Sequence, residues 1–179
     1  MNPRLLVLVK TAFVAFVAYS CFTTYSRVVP YSLVFNRTES IPIGLYWAED
    51  IRASKLSRGD IACFPYATPD WAKDRRYLPD GLTVCKPVAG LPGDIVKREG
   101  NKLFVSYAET PQVSKMLGEY ATHDSRKRPL PQDMLPMGAV PEGTLLMIAG
   151  AHANSLDSRY VGYIPSYTIQ RRIHPIYTW

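Results

Sequence analysis

From Leu5 to Tyr25 the chain reads LLVLVKTAFVAFVAYSCFTTY, 21 residues with a single charge at Lys10. Nothing else in the sequence restricts the fold as sharply. About 20 apolar residues in helix are enough to cross a bilayer core. Lys10 lies toward the N-terminal end, where its stem can carry the ammonium to the head groups. Tyr19, Phe22 and Tyr25 fall toward the opposite interface. Arg4 and Lys10 favour an inside N-terminus, an asymmetry that Arg27 reduces. Two other readings compete. A cleaved secretory signal would use the small residues Ala15, Ala18 and Ser20 near its cleavage site. A buried helix of a soluble protein is the plainer alternative. The spanning reading divides the chain into an anchor or uncleaved signal over 1–27 and a domain over 28–179 outside the cytoplasm. There a disulfide between Cys63 and Cys85 is permitted, two free buried thiols being the alternative. Cys21, inside the apolar run, reads as an inert thiol.

Beyond this segment the periodicity changes. Asp60–Phe64, stopped by Pro65, and Leu82–Lys86 read as short strands. Asp94–Arg98 and Lys102–Val105 flank Glu99-Gly100-Asn101 as a hairpin. Thr144–Ala149 reads as a buried strand and Arg159–Ile164 as another, stopped at Pro165. Thr110–Pro141 reads as an irregular excursion. Fifteen prolines among 179 residues argue for turns and short strands over a helical bundle. The expected fold is mainly β, an antiparallel barrel or coiled sheets, preceded by one transmembrane helix.

The net charge of +6 raises the question of nucleic acid. The basic clusters Arg75-Arg76, Arg126-Lys127-Arg128 and Arg171-Arg172 lie in no binding motif, and attraction to anionic lipid accounts for the charge as well. No nucleic-acid partner is expected. Three Cys without a C-x-x-C pair, and three scattered His, offer no metal-ligand spacing. Hydrolase elbows, phosphate loops and zinc-protease motifs are absent.

Three segments carry what chemistry the sequence offers. Thr38-Glu39-Ser40-Ile41-Pro42-Ile43-Gly44-Leu45-Tyr46-Trp47, taken alone, is an ordinary turn. Lys86-Pro87-Val88-Ala89-Gly90-Leu91-Pro92-Gly93-Asp94 puts a lysine at the end of an apolar strand, where an ammonium is costly to bury. Asn154-Ser155-Leu156-Asp157-Ser158-Arg159 reads alone as a polar turn with an acid–base pair.

In this order, S-I-P, then K with G-L-P-G-D, then S-L-D-S-R, the three resemble the signal peptidase I superfamily of Ser–Lys proteases. The wording P-I-G-L-Y-W after the serine is most similar to its TraF branch, which processes pilin precursors for conjugative transfer. The resemblance implies Ser40 as nucleophile, Lys86 as general base and Asp157 as the acidic member of the catalytic set. It implies an oxyanion hole from the Ser40 N–H and the Thr38 hydroxyl, with Ser155 orienting the lysine and Arg159 supporting Asp157. Ile41 and Pro42 would contact substrate. No cofactor or metal is implied. Two departures stand out: Pro87 replaces the basic residue that usually follows the lysine, and Gly150-Ala151-His152 replaces G-D-N. Neither touches the Ser–Lys pair.

The chemistry requires a neutral Lys86. An ordinary lysine, with a pKa near 10.4, is only about 0.1% neutral around pH 7.4, so desolvation by Val84, Val88, Leu82 and Ile41 must lower it. The partners implied are a pilin-like or other membrane-inserted precursor and membrane lipid. The site would be the periplasmic face of a bacterial inner membrane, reached on a single-pass anchor. An apolar rim around Ser40, from Ile41 to Trp47, would rest in the interface. The alternatives are a general signal peptidase of the same chemistry and a non-catalytic, anchored assembly factor of a transfer apparatus. Hydrolysis and cyclisation of the product are not distinguished.

Overall fold

A computed structural model describes residues 3–28, 31–150 and 155–179. The apolar run forms one helix, α1 (Pro3–Val28). It belongs to a unit spanning Met1–Ser32, separate from a second unit spanning Leu33–Trp179. Some α1 side chains, Leu5, Leu6 and Phe22 among them, lie outside the described ones. Over what is described, no helix is long and apolar enough to cross a membrane.

The second unit is built from antiparallel strands in two open sheets. The larger has seven strands in the order β1 (Tyr31–Asn36), β2 (Gly44–Asp50), β11 (Arg171–Thr178), β3 (Ile61–Pro65), β4 (Thr83–Gly90), β9 (Thr144–Met147), β10 (Ile164–Pro165). The smaller runs β7 (Thr110–Glu119), β6 (Lys102–Tyr107), β5 (Ile95–Glu99), β8 (Gly138–Ala139). Both sheets keep edge strands, so the described residues form two open sheets and no closed barrel.

Alternation explains the core. In β2 Tyr46 and Ala48 point inward while Leu45, Trp47 and Glu49 alternate outward. Tyr46 and Ala48 meet Ile41, Cys63 and Ile173 in one buried cluster. A second cluster joins Phe64, Val88, Leu145 and Met147. A third, under the smaller sheet, gathers Val96, Leu103, Val105, Leu146 and Tyr160.

The β5–β6 hairpin forms as its Gly100-Asn101 turn predicts, with Gly100 at φ +60°. The G-L-P-G-D segment is a tight turn with Gly93 at φ +87° after Pro92, as a type II turn requires. Its Asp94 is fully buried, held by Arg58 at 2.6 and 2.7 Å and by the Leu91 and Ala108 N–H groups.

Several expectations change. Arg159–Ile164 is no strand: Ser158–Val161 makes one helical turn, α2, capped by Asp157, and only Ile164–Pro165 is extended. The excursion from Thr110 contains the ten-residue strand β7, paired to β6. Strands β1, β2 and β11 go beyond the expected set. β4 continues through Pro87 to Gly90, which puts Lys86 in mid-strand. The basic clusters Arg171-Arg172 and Arg128 are paired with Asp50, Glu49, Asp60 and Asp124.

Candidate active site

The serine loop joins β1 to β2 and is stapled by one side chain, Asn36, that sequence reasoning missed. Its Nδ2 donates to the carbonyls of Thr38, Ile41 and Pro42 at 2.7, 3.0 and 3.0 Å. Its Oδ1 accepts from the Thr38 N–H and hydroxyl at 3.2 and 3.0 Å. An Asn with a Thr two residues on was the available signal, since such side chains commonly bond backbone groups two residues away. The buried Tyr46 adds a bond from its hydroxyl to the Pro42 carbonyl at 2.6 Å.

Thr38 Oγ1 and Ser40 Oγ lie 3.3 Å apart. Because Asn36 Oδ1 can only accept, Thr38 donates to it, and the Ser40 hydroxyl is then the donor to Thr38. The Thr38 hydroxyl, expected as an oxyanion donor, is therefore turned to Asn36 here.

Lys86 shares a face of β4 with Val84 and Val88 and is only 7% exposed. Its Nζ donates to Ser155 Oγ at 2.7 Å. Burial pushes its pKa from the usual 10.5 down to about 8; Asp157 opposes that shift and Arg159 adds to it. The expected apolar wall is partly drawn differently. Val84 and Val88 flank the amine along the strand, whereas Leu82 precedes the strand and is exposed.

Asp157 and Arg159 are fully buried and pair at 2.7 and 2.9 Å. The Asp157 carboxylate also accepts from the N–H groups of Ala149 and Arg159. Arg159 donates in addition to the Glu119 carbonyl. With its lone pairs taken in this way, Asp157 acts on Lys86 through its field, not through a direct bond. Asn154, Ala151 and His152 fall outside the described residues.

A cleft of about 610 Å³ brings these parts together. Ser40, Lys86 and Ser155 line it, with Thr38, Ile41 and Leu156. Pro42 is exposed and not on its wall. Ser40 and Lys86 face the same space but are not hydrogen-bonded to each other; each is held by its own hydroxyl partner. The expected interfacial rim does not form as read, because Ile41 and Tyr46 are core residues. Cys63 and Cys85 lie directly opposite across β3 and β4 and are joined by a disulfide, which puts that link one residue from Lys86.

The arrangement is that of a β-sheet protein presenting a desolvated amine and a hydroxyl to one open cleft. The chain belongs to the signal peptidase family, peptidase S26, whose family model matches residues 4–179. Two Escherichia coli proteins, each described as a plasmid transfer protein TraF, are 28% and 25% identical to it over 153 residues. Each alignment covers 80% of this chain and 82% of the relative. A signal peptidase I from Enterococcus faecalis, solved by crystallography, aligns with 64% of this chain and 93% of its own at 24% identity, with a TM-score of 0.38.

Proposed function

We propose that this protein is a membrane-anchored serine endopeptidase that cleaves a pilin-like precursor for plasmid transfer, using Ser40 and Lys86. The observation that carries the proposal is Lys86: a buried amine, with a pKa near 8, aimed into the cleft that Ser40 lines. At pKa 8 about a fifth of the amine is neutral at pH 7.4, some two hundredfold more than for an ordinary lysine. In the reaction the Ser40 hydroxyl turns from Thr38 toward Lys86 Nζ. The amine takes its proton as Oγ attacks the scissile carbonyl, and returns it to the departing amine. Hydroxyls at Ser155 and Ser40 thus bracket the nitrogen. The Ser40 N–H, and the Thr38 hydroxyl once released from Asn36, would stabilise the oxyanion. The acyl-enzyme then passes to water or to an amine, the latter closing a ring.

The transfer role rests on the likeness to the two plasmid transfer proteins. The anchor reading is supported by the 26-residue helix α1 and its exposed apolar side chains, and the proposed site of action is the outer face of a bacterial inner membrane. The test is mass spectrometry of a candidate pilin expressed with the wild-type protein or with Ser40→Ala. Cleavage only with the wild type supports the proposal, and a product lighter than the linear form by one water shows ring closure. Equal processing by Ser40→Ala would overturn it.

A further inference from the structure

Strand β1 turns alternate side chains to opposite sides. Val34 packs on the buried cluster of Ile41, Tyr46 and Ile173. Asn36, two residues on and the last of the strand, shares that side and brings a primary amide where the pattern calls for an apolar group. Its partners fix which way the amide points. The carbonyls of Thr38, Ile41 and Pro42, all within 3.0 Å, need a donor, so the nitrogen faces them and the oxygen faces Thr38. Two of these carbonyls belong to firm structure, because Ile41 is a core residue and the Pro42 carbonyl also accepts from the buried Tyr46. The amide oxygen then takes two bonds from one residue, the Thr38 N–H at 3.2 Å and the Thr38 hydroxyl at 3.0 Å. The carbonyls hold the amide, and the amide holds Thr38.

We propose that Asn36 is a positioning residue of the peptidase, which sets the backbone of Thr38 and thereby the hydroxyl that meets the oxyanion. The proposal rests on the Ser40–Lys86 reading above and adds a residue that acts through Thr38 alone. The two bonds to the amide oxygen differ in what the reaction asks of them. Protons here run from Ser40 to Thr38 to Asn36, so neither hydroxyl is at its task. Attack redirects both: the Ser40 proton passes to Lys86 Nζ, and the Thr38 hydroxyl turns to the oxygen that gains charge. The Thr38 N–H need not move. Asn36 therefore keeps the backbone in place through one bond while the side chain swings away from the other. The nucleophile itself is loosely held, since 3.3 Å from Ser40 Oγ to Thr38 Oγ1 exceeds the ordinary hydroxyl bond of about 2.8 Å. A neutral amide suits the exchange. A carboxylate would grip the Thr38 hydroxyl about twice as strongly, and an apolar side chain would leave the Thr38 N–H without its acceptor.

The test is a double-mutant cycle on the full chain in detergent. The probe is a fluorogenic peptide carrying the bond at which the wild type cuts the candidate pilin, and kcat and KM are measured separately. Thr38→Val should lower kcat about a hundredfold, as loss of one oxyanion donor does. Asn36→Ala should lower kcat about thirtyfold, the scale of a misplaced catalytic group, with KM within about threefold of the wild type. The double variant should fall no more than about threefold below Thr38→Val, because without the hydroxyl Asn36 has nothing left to place. Asn36→Asp matches the shape of Asn36 and should lose kcat in the same way; should Asn36→Ala not fold, the same cycle run with Asn36→Asp decides the question. Full kcat in both Asn36 variants, a higher KM with kcat kept, or losses that multiply in the double variant would each overturn the proposal. A wild type that cuts no peptide would overturn it together with the peptidase reading. Cleavage that Ser40→Ala abolishes, combined with multiplying losses at Asn36 and Thr38, would overturn the positioning role and leave the peptidase standing.

Discussion

At the scale of single residues, Lys86 is costly to the fold and useful to the site. Its pKa near 8 in the folded chain, against 10.5 ordinarily, means that the native state binds fewer protons than the unfolded state between those values. Native stability then rises with pH across that window, and below pH 8 the full penalty is present. Lys86→Met should remove proteolysis and raise stability at pH 7 by up to about 3 kcal/mol, the linkage value of the shift. The gain should shrink as pH approaches 10.5. Thermal unfolding in detergent at pH 7 and pH 10 measures this, and an equal difference at both pH values would contradict it. Turnover of peptide by the wild type should rise with pH and level off above an apparent pKa of about 8. A profile flat from pH 6 to 10 would show that another group is the base. The amine was legible in the sequence as an oddity, a lysine among apolar neighbours. The resemblance already implied Ser155 as the lysine's partner, and the two are 2.7 Å apart. That Ser40 leans on Thr38 was not legible, because Thr38 turns its hydroxyl to Asn36 only once the loop has closed. Asn36 was missed for a related reason: nothing in a lone Asn shows that its amide will meet three carbonyls.

At the scale of elements, the turn after β4 is fixed by a buried charge. Burial works against ionisation of Asp94, but Arg58 and two backbone N–H groups outweigh it and hold the carboxyl below its usual range. Its contribution is therefore present above the ordinary carboxylate pKa and is lost as pH falls through the lower folded-state value. Asp94→Asn keeps the shape and removes the charge. It should cost about 3 kcal/mol at pH 7, toward the low end for breaking a buried pair because Arg58 keeps some solvent. The deficit should narrow in acid, and urea unfolding at pH 7 and pH 3 measures both. The sequence showed this turn by its Pro-Gly pair but gave no hint of the Arg58 partner, 36 residues away. The elements read correctly were those with strong local signals: the apolar α1, the Gly-Asn hairpin, and the apolar cores of β3 and β9. The errors came where local signals are weak. β7 is polar and carries Pro111, which an edge strand tolerates. β11 carries Pro175 next to a bulge, where it departs from ordinary pairing. Arg159 to Ile164 looks like a strand by composition. Asp157 instead caps a helical turn there, drawn in by its bonds to the Ala149 and Arg159 N–H groups.

At the scale of the whole molecule, the Cys63–Cys85 disulfide ties the stability of the sheet to the compartment. Sequence left open whether the thiols were joined, and their register settles it: the two residues are cross-strand partners on β3 and β4. The closed loop spans 22 residues, for which loss of unfolded-state entropy is worth about 3 kcal/mol. The bond also pins β4 at the residue before Lys86, so its loss should reach the site. Cys63→Ser/Cys85→Ser should melt roughly 6 to 12 °C lower than the wild type, by the usual relation for a domain of this size. If loosening β4 lets water to the amine, the pKa of Lys86 should climb back toward 10.5. The pH at which peptide turnover levels off should then move upward. A lower melting temperature with an unmoved profile would confine the bond to stability. A moved profile would make the cross-link part of what keeps the base neutral, and an oxidising compartment a condition for full activity.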